Sequence, residues 1–381
     1  MTGTSPGVPH RDDIQGLRAI AVLTVIASHA GVPFLPGGFV GVDVFFVISG
    51  FLISQLLFRE VEKSGKVSIP AFYARRARRI LPAATLVTIA TIVASAIWLS
   101  AVDLLAVVKD ALWATFFAAN IHFAAVGTDY FAQEEPPSPL QHYWSLSVEE
   151  QFYLVWPALL LVLVLLARGR GLPRRLVFGV LLTITVASFA WSVVYTSSDP
   201  IAAYFSTTAR AWELGLGALA ALVATSVAGR LPGLVRGLLC GAGLVLIGVA
   251  CVAYGESTPF PGSAAAVPVV GSALVLLAGA TAGPQPLPMR ALGVLPMRVV
   301  GDWSYSLYLW HWPVLIIAAR QVDGDLGFWR TLACVVVVFV LSALTYRLVE
   351  QPFRSPVRFP TGRALALYPA AVAVVVAGAA G

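Results

Sequence analysis

The run FYARRARRILPAATLVTIATIVASAIWLSA, residues 72–101, decides the fold class. Four arginines come first (Arg75, Arg76, Arg78 and Arg79), and residues 83–101 that follow carry no charge. An α-helix rises about 1.5 Å per residue, so a segment of that length reaches close to the ~30 Å of a bilayer's hydrocarbon core. A basic flank against such a span is the signature of a helix entering a membrane from its cytoplasmic face.

The pattern recurs along the whole chain. Its 381 residues are 58% hydrophobic and only 12% charged, with a mean hydropathy of +0.83, so its solvent must be lipid. Twelve apolar stretches have spanning length: 14–31, 40–58, 83–101, 104–124, 146–167, 176–196, 207–226, 237–254, 264–282, 302–319, 329–347 and 364–381. Lys and Arg collect in the loops 59–79, 168–175, 230–236, 290–298 and 347–363. All five loops fall on one side only if 104–124, which carries Lys109, Asp110, Asn120 and His122, does not cross. The expected fold is therefore all-α: a polytopic membrane protein of about ten core helices, an eleventh C-terminal helix, and 104–124 as a re-entrant or interfacial helix. Its N-terminus is expected in the cytoplasm.

Residues 1–356 form one membrane-embedded domain in this reading, and 364–381 an additional helix leading to an extracytoplasmic domain. No repeat or inverted half is visible, and outer loops such as Tyr130–Ser138 are short and rich in proline. The net charge of +6 sits mainly in short loops between apolar segments, which argues against a nucleic-acid partner. Cys240, Cys251 and Cys334 lie inside apolar runs, where a thiol is a small hydrophobe, so no disulfide and no metal site is expected. The first apolar run lacks a cleavage pattern and reads as a retained helix.

A charge at the centre of a spanning helix costs about 2.5–3.5 kcal/mol on insertion scales, which makes such residues functional candidates. Arg18 and His29 stand eleven residues apart on the first helix, on one face and about 16 Å apart along the axis. The plainer alternative has each snorkelling to its own headgroup layer. Four glycines among residues 37–50 (Gly37, Gly38, Gly41, Gly50) allow close helix approach, and Asp43 among them enters near the level of His29, where a carboxylate can support an imidazolium. The alternative for Asp43 is a charge favoured by the helix N-terminus. Glu149 shares a face with Tyr153 and is expected at that same outer level, while Ser147 and Glu150 also fit a capping box. Tyr305, Tyr308 and Trp312 form a stripe that runs deeper than an aromatic belt needs and could line a tunnel for a thioester.

Several motifs in order carry a family resemblance: Arg18…His29, Gly41-Val42-Asp43…Ser49-Gly50-Phe51, Phe72…Pro82, Tyr143-Trp144-Ser145…Tyr153, Ser304…His311 and Glu350-Gln351-Pro352-Phe353-Arg354. From residue 11 to about 356 the chain resembles membrane-bound acyltransferase family 3, most of all the branch that O-acetylates peptidoglycan or lipopolysaccharide. The resemblance implies a bacterial inner-membrane enzyme with acyl-CoA, commonly acetyl-CoA, as donor and no permanently bound cofactor. The acceptor would be a hydroxyl of an envelope glycan or glycolipid. It also implies that His29 is catalytic, that Arg18 is its companion in an Arg-x10-His motif, and that Arg76 and Arg79 form an Arg-x-x-Arg pair. In this branch the eleventh helix often leads to an esterase-like domain.

The chemistry read from the residues agrees. Arg76 and Arg79 at i, i+3 present two guanidinium groups on one face, suited to the phosphates of coenzyme A. A leading assignment follows: His29 as general base supported by Asp43 or Glu149, with Arg18, Arg76, Arg79 and Tyr305 around the donor. A proton-coupled transporter or lipid-linked glycan flippase is the competing class. It needs no phosphate-binding pair and usually shows repeats.

Overall fold

The computed structural model describes residues 11–127, 137–167, 171–227, 230–280, 284–322 and 325–380. The chain begins with helices α1 Asp12–His29, α2 Gly41–Ser64, α3 Ile69–Trp98, α4 Ala101–Thr115, α5 Ala119–Ala125 and α6 Tyr143–Leu166. It continues through α7 Arg174–Ser198, α8 Pro200–Phe205, α9 Thr207–Val227, α10 Gly233–Ala253 and α11 Ala266–Ala278. Then come α12 Leu287–Leu292, α13 Leu295–Arg320 and α14 Gly327–Thr345. A π-turn at Tyr346–Glu350 leads into α15 Gln351–Arg354, and α16 Thr361–Leu365 and α17 Leu367–Ala380 close the chain.

Every element of regular structure among the described residues is helical, as lipid demands of a chain that must satisfy its backbone hydrogen bonds internally. Among the described residues, seven helical segments are long and apolar enough to cross a membrane. The long helices α1 and α9 also carry buried charges, Arg18 and Arg210 with Glu213, and close packing sets α1 on α13 and α2 on α9. Boundaries differ from the expected ones where charge masked helix. Pro70 at the start of α3 and Pro82 inside it leave one helix of 30 residues, so Arg75, Arg76, Arg78 and Arg79 lie on its first turns instead of in a loop over 59–79. The stretch 264–282 shrinks to the 13 residues of α11.

One end of the bundle gathers the basic termini. Arg298 at the start of α13 bonds Asp12 at 3.2 Å, Arg174 lies 3.3 Å from Glu62, and Arg236 donates to the Ala278 carbonyl at 3.0 Å. The opposite end is marked by Arg320, 2.7 Å from Asp103, and by Gln321, which donates to the Trp98 carbonyl at 2.7 Å. The segment 104–124 starts at this opposite end and breaks at Phe116–Ala118, where Phe117 takes φ of 53°. Its two limbs, α4 and α5, fold back on each other, with Asp110 and His122 paired at 3.0 Å across them. Gln151 of α6 donates to the Phe117 carbonyl at 2.9 Å and holds the tip of this hairpin inside the bundle. At 15 and 7 residues, neither limb has the ~20 needed to span.

The four glycines of residues 37–50 do bring backbones together. A Cβ on Gly37, Gly38 or Gly41 would stand 2.2 Å from a carbonyl oxygen of α10 or α1, and one on Gly50 would stand 1.9 Å from that of Leu214 in α9. Membrane helices lack a strong hydrophobic drive to associate, so small residues that allow close packing decide which of them meet.

Two outcomes are expected. Replacing Gly50 by Leu should wedge α2 from α9 and cost about 1–3 kcal/mol or more, read as a lowered unfolding midpoint in detergent; an unchanged midpoint would mean that the pair can part without loss. Single cysteines at Lys63, Gly171 and Pro232 should all label from the same face of the membrane, since α4 and α5 turn back; labelling of Gly171 from the other face would show a crossing at 104–124.

Candidate functional site

Three helices that enter from the basic end supply the first half of the site. Arg18 of α1 and Arg76 and Arg79 of α3 line one cavity together with Ser49, Glu149, Ser304, Tyr305 and Tyr308. The void measures about 810 Å³ with its mouth included. Arg18 donates from Nε to Ser304 Oγ at 3.1 Å. Arg76 lies 3.3 Å from Glu150 and 3.8 Å from Glu149, with its guanidinium 3.8 Å from the Tyr153 ring centre. Glu149 in turn accepts hydrogen bonds from Ser49 and Tyr153. The four residues expected around a donor, Arg18, Arg76, Arg79 and Tyr305, are thus brought into one cavity from three helices far apart in sequence.

A second cavity opens at the other end. His29, Ser28, Phe39, Trp312, Glu256 and Ser257 are among its walls, and it measures about 1180 Å³ with its mouth. His29 closes α1 and its ring meets the edge of Trp312 with centroids 4.6 Å apart. His29 Nδ1 lies 3.0 Å from His311 Nε2, and the fully buried His311 places its own Nδ1 2.6 Å from the Tyr308 carbonyl oxygen. His142, just before α6, sets its ring edge-on to His311 with centroids 5.8 Å apart.

Tyr308 belongs to both halves. Its ring walls the first cavity beside Phe45, with centroids 6.3 Å apart. Its hydroxyl bonds Ser145 Oγ at 2.6 Å and donates to the His142 carbonyl at 3.0 Å, while its backbone holds His311. The stripe Tyr305, Tyr308, Trp312 therefore runs from the wall of one cavity to the wall of the other.

Asp43 and Glu149 are placed otherwise than expected. Asp43 Oδ1 lies 3.1 Å from Arg210 Nη1 of α9, and Glu213 Oε1 lies 3.0 Å from the same nitrogen, all three side chains without exposed surface. Phe46, Trp144, Tyr204 and Phe260 surround this guanidinium at 5.2–5.6 Å. Glu149 stands seven residues along α6 from His142, about 10 Å deeper by helical rise, and faces Arg76 instead of the imidazole. Helix ends alone suggest the level of His29 for both, but Glu149 lies deeper and each carboxylate is drawn to an arginine on another helix. Nor is there a capping box at Ser147: α6 begins at Tyr143, and Ser147 Oγ donates back to the Tyr143 carbonyl at 2.9 Å.

The sequence reading passes over Arg210 and Glu213, although the rule that singles out Asp43 applies equally to two charges in the apolar stretch 207–226. It includes His311 in an aromatic stretch but gives it no partner, because no sequence period couples α1 to α13. Glu350, buried in the π-turn and bonded to Ser306 and, at 2.5 Å, to Arg354, belongs to a quoted motif without an assigned role. Among the described residues no cluster of three or more His, Cys, Asp or Glu is suited to a metal ion.

Comparison with known proteins is consistent across the chain. The acyltransferase domain family Acyl_transf_3 matches residues 11–347. The chain is 31% identical over 351 residues to the peptidoglycan O-acetyltransferase OatA of Listeria monocytogenes, covering 90% of this chain and 55% of the relative. It is 34% identical over 353 residues to YrhL of Bacillus subtilis, named provisionally as a peptidoglycan O-acetyltransferase, covering 90% and 54%. A provisionally named O-acetyltransferase of Staphylococcus aureus is 30% identical over 350 residues, covering 90% and 57%. The chain spans about half the length of these curated relatives. No solved structure matches it.

The Arg210 cluster yields a prediction. Arg210→Ala strands two carboxyl groups in an apolar cage and should cost about 3–5 kcal/mol, the scale for breaking a buried ion pair. Thermal unfolding in detergent reads this directly, and a variant as stable as the parent would show that the cluster does not hold α2 to α9.

Proposed function

The chain belongs to the Acyl_transf_3 acyltransferase family, and from that premise we propose that it carries an acetyl group from cytoplasmic acyl-CoA to a hydroxyl of an envelope glycan across the membrane. One observation carries the reading. Arg18, Arg76 and Arg79 open onto one cavity and His29 onto another, and Tyr308 walls the first while its backbone carbonyl accepts from His311, the ring that meets His29. A phosphate-bearing donor suits the first cavity and an uncharged hydroxyl acceptor the second.

The basic loops support a cytoplasmic side for the arginine cavity, where acyl-CoA is found. Arg18, Arg76 and Arg79 receive its phosphates, with charge-assisted hydrogen bonds of the stronger kind. The thioester follows the stripe of Tyr305 and Tyr308 toward His29. There the His29 imidazole takes the proton from the acceptor hydroxyl as its oxygen attacks the thioester carbonyl. The C–S bond breaks, the new C–O ester bond remains on the glycan, and the coenzyme A thiolate takes the proton back from the imidazolium. The acceptor assignment rests on relatives named for peptidoglycan O-acetylation.

Reconstituted protein supplied with acetyl-CoA on the basic side and peptidoglycan fragments on the other should release free thiol and acetylate the glycan. His29→Ala should fold and bind donor but lose at least about 10²-fold in rate, the usual scale for a missing general base. Arg76→Glu with Arg79→Glu should raise KM for acetyl-CoA at least about tenfold with a smaller effect on kcat, since the contacts lie far from the reacting carbonyl. Near-parental transfer by His29→Ala would remove His29 from the chemistry. Absence of thioester turnover in parental protein that transports the glycan would establish the flippase class in its place.

A further inference from the structure

We propose that His311 is a positioning residue that fixes the tautomer of His29, leaving Nε2 of His29 as the basic nitrogen; this rests on the acyl-transfer reading above. The geometry runs in one direction. A backbone carbonyl oxygen can only accept, so the 2.6 Å contact between His311 Nδ1 and the Tyr308 oxygen requires a proton on that nitrogen. In the neutral ring the other nitrogen, Nε2, then carries the lone pair. It lies 3.0 Å from His29 Nδ1, so His29 must donate from Nδ1, and its own lone pair falls on Nε2.

That is the arrangement a general base needs, and it is not the tautomer a free imidazole prefers. The usual device is a carboxylate behind the histidine. Here the carboxylates that could serve are engaged elsewhere, Asp43 with Arg210 and Glu149 with Ser49, Tyr153 and Arg76. A neutral imidazole anchored to a carbonyl performs the orienting part of that task without bringing a second charge into the apolar interior. When His29 accepts the hydroxyl proton at Nε2, the Nδ1–H···Nε2 hydrogen bond to His311 becomes charge-assisted and strengthens in the state with the greatest need of it.

Several features keep His311 in this state. Its ring is parallel to that of His29, 8° between planes, and is flanked edge-on by His142 and Trp312. The titratable groups facing the pair are His142 from the start of α6, Tyr308 of α13 and Glu256 across the outer cavity. His311 lies inside α13, two residues before Pro313, so its backbone position is set by the helix that also carries the Tyr308 carbonyl.

Nitrogen-15 NMR of histidine-labelled full-length protein in lipid tests the tautomer independently of activity, and the resonances are assigned by removing the other histidines one at a time. The expected result is a proton on Nδ1 of both His29 and His311, with His29 reverting to the Nε2–H form in His311→Phe. In the transfer assay His311→Phe should lower kcat at least about 10²-fold with the KM for acetyl-CoA unchanged. His311→Gln, whose amide can donate to the Tyr308 carbonyl while its oxygen accepts from His29, should recover a substantial part of the loss. An Nε2–H form of His29 in the parental protein, a tautomer indifferent to His311→Phe, or an unchanged kcat each overturns the proposal. Failure of parental protein to turn over acetyl-CoA would instead refute the transfer reading, and the NMR result would still decide the tautomer.

Discussion

Charge taken out of water must find an answer on another helix, and that requirement organises this bundle. Arg210 of α9 is answered by Asp43 of α2, Arg76 of α3 by Glu149 and Glu150 of α6, Arg298 of α13 by Asp12 of α1, and Arg18 of α1 by Ser304 of α13. Each pairing ties helices distant in sequence. In lipid, where apolar side chains give little preference for one neighbour over another, such contacts specify the arrangement. Arg18, Ser304, Arg76 and Glu149 among them also line the inner cavity, so some of the polar residues that hold the helices together furnish the site as well.

Their environments set their separate tasks. Arg210 is caged by four aromatic rings with no exposed surface and meets nothing but protein. Arg76 is also buried, yet its guanidinium borders a void and its carboxylate partners leave it able to exchange them for a bound anion. By hydropathy and loop charge alone these two arginines would rank the other way, since a charge deep in an apolar stretch is a functional candidate and one in a basic cluster is equally well topological. Packing reverses the order, because a charge enclosed on every side has no room for a substrate.

Helix class, most of the spans and the failure of 104–124 to run through were legible because each rests on a property summed over many residues: length, hydropathy, or loop charge. The glycines at 37, 38, 41 and 50 were legible too, since no other residue allows backbones so close. The grouping of Arg18, Arg76, Arg79 and Tyr305 around one cavity followed from family resemblance and the chemistry of phosphates. What surrounds His29 was not, for Asp43 and His311 are both polar groups within reach of the same level, and choosing between them requires knowing that α9 brings an arginine to the first.

The contact between His29 and His311 depends on a residue far from either. Gly301 in α13 lies where a Cβ would stand 2.0 Å from the Gln15 carbonyl of α1, and Gly16 lies where one would stand 2.1 Å from that of Leu292. The first approach, with the Arg298–Asp12 pair beside it, fixes how far α1 is inserted along α13 at the basic end, and the second seats α1 against the end of α12. Helices α1 and α13 then run rigidly toward the other end, with Arg18 bonded to Ser304 on the way. A slip of one residue would carry His29 about 1.5 Å along the axis and swing it about 100° around α1, away from the only nitrogen of His311 that can accept its proton. The tautomer at the outer cavity is therefore set by a packing constraint at the inner end, and the glycine in the first position of the Gly301–His311 run is as much a part of the site as the histidine in the last.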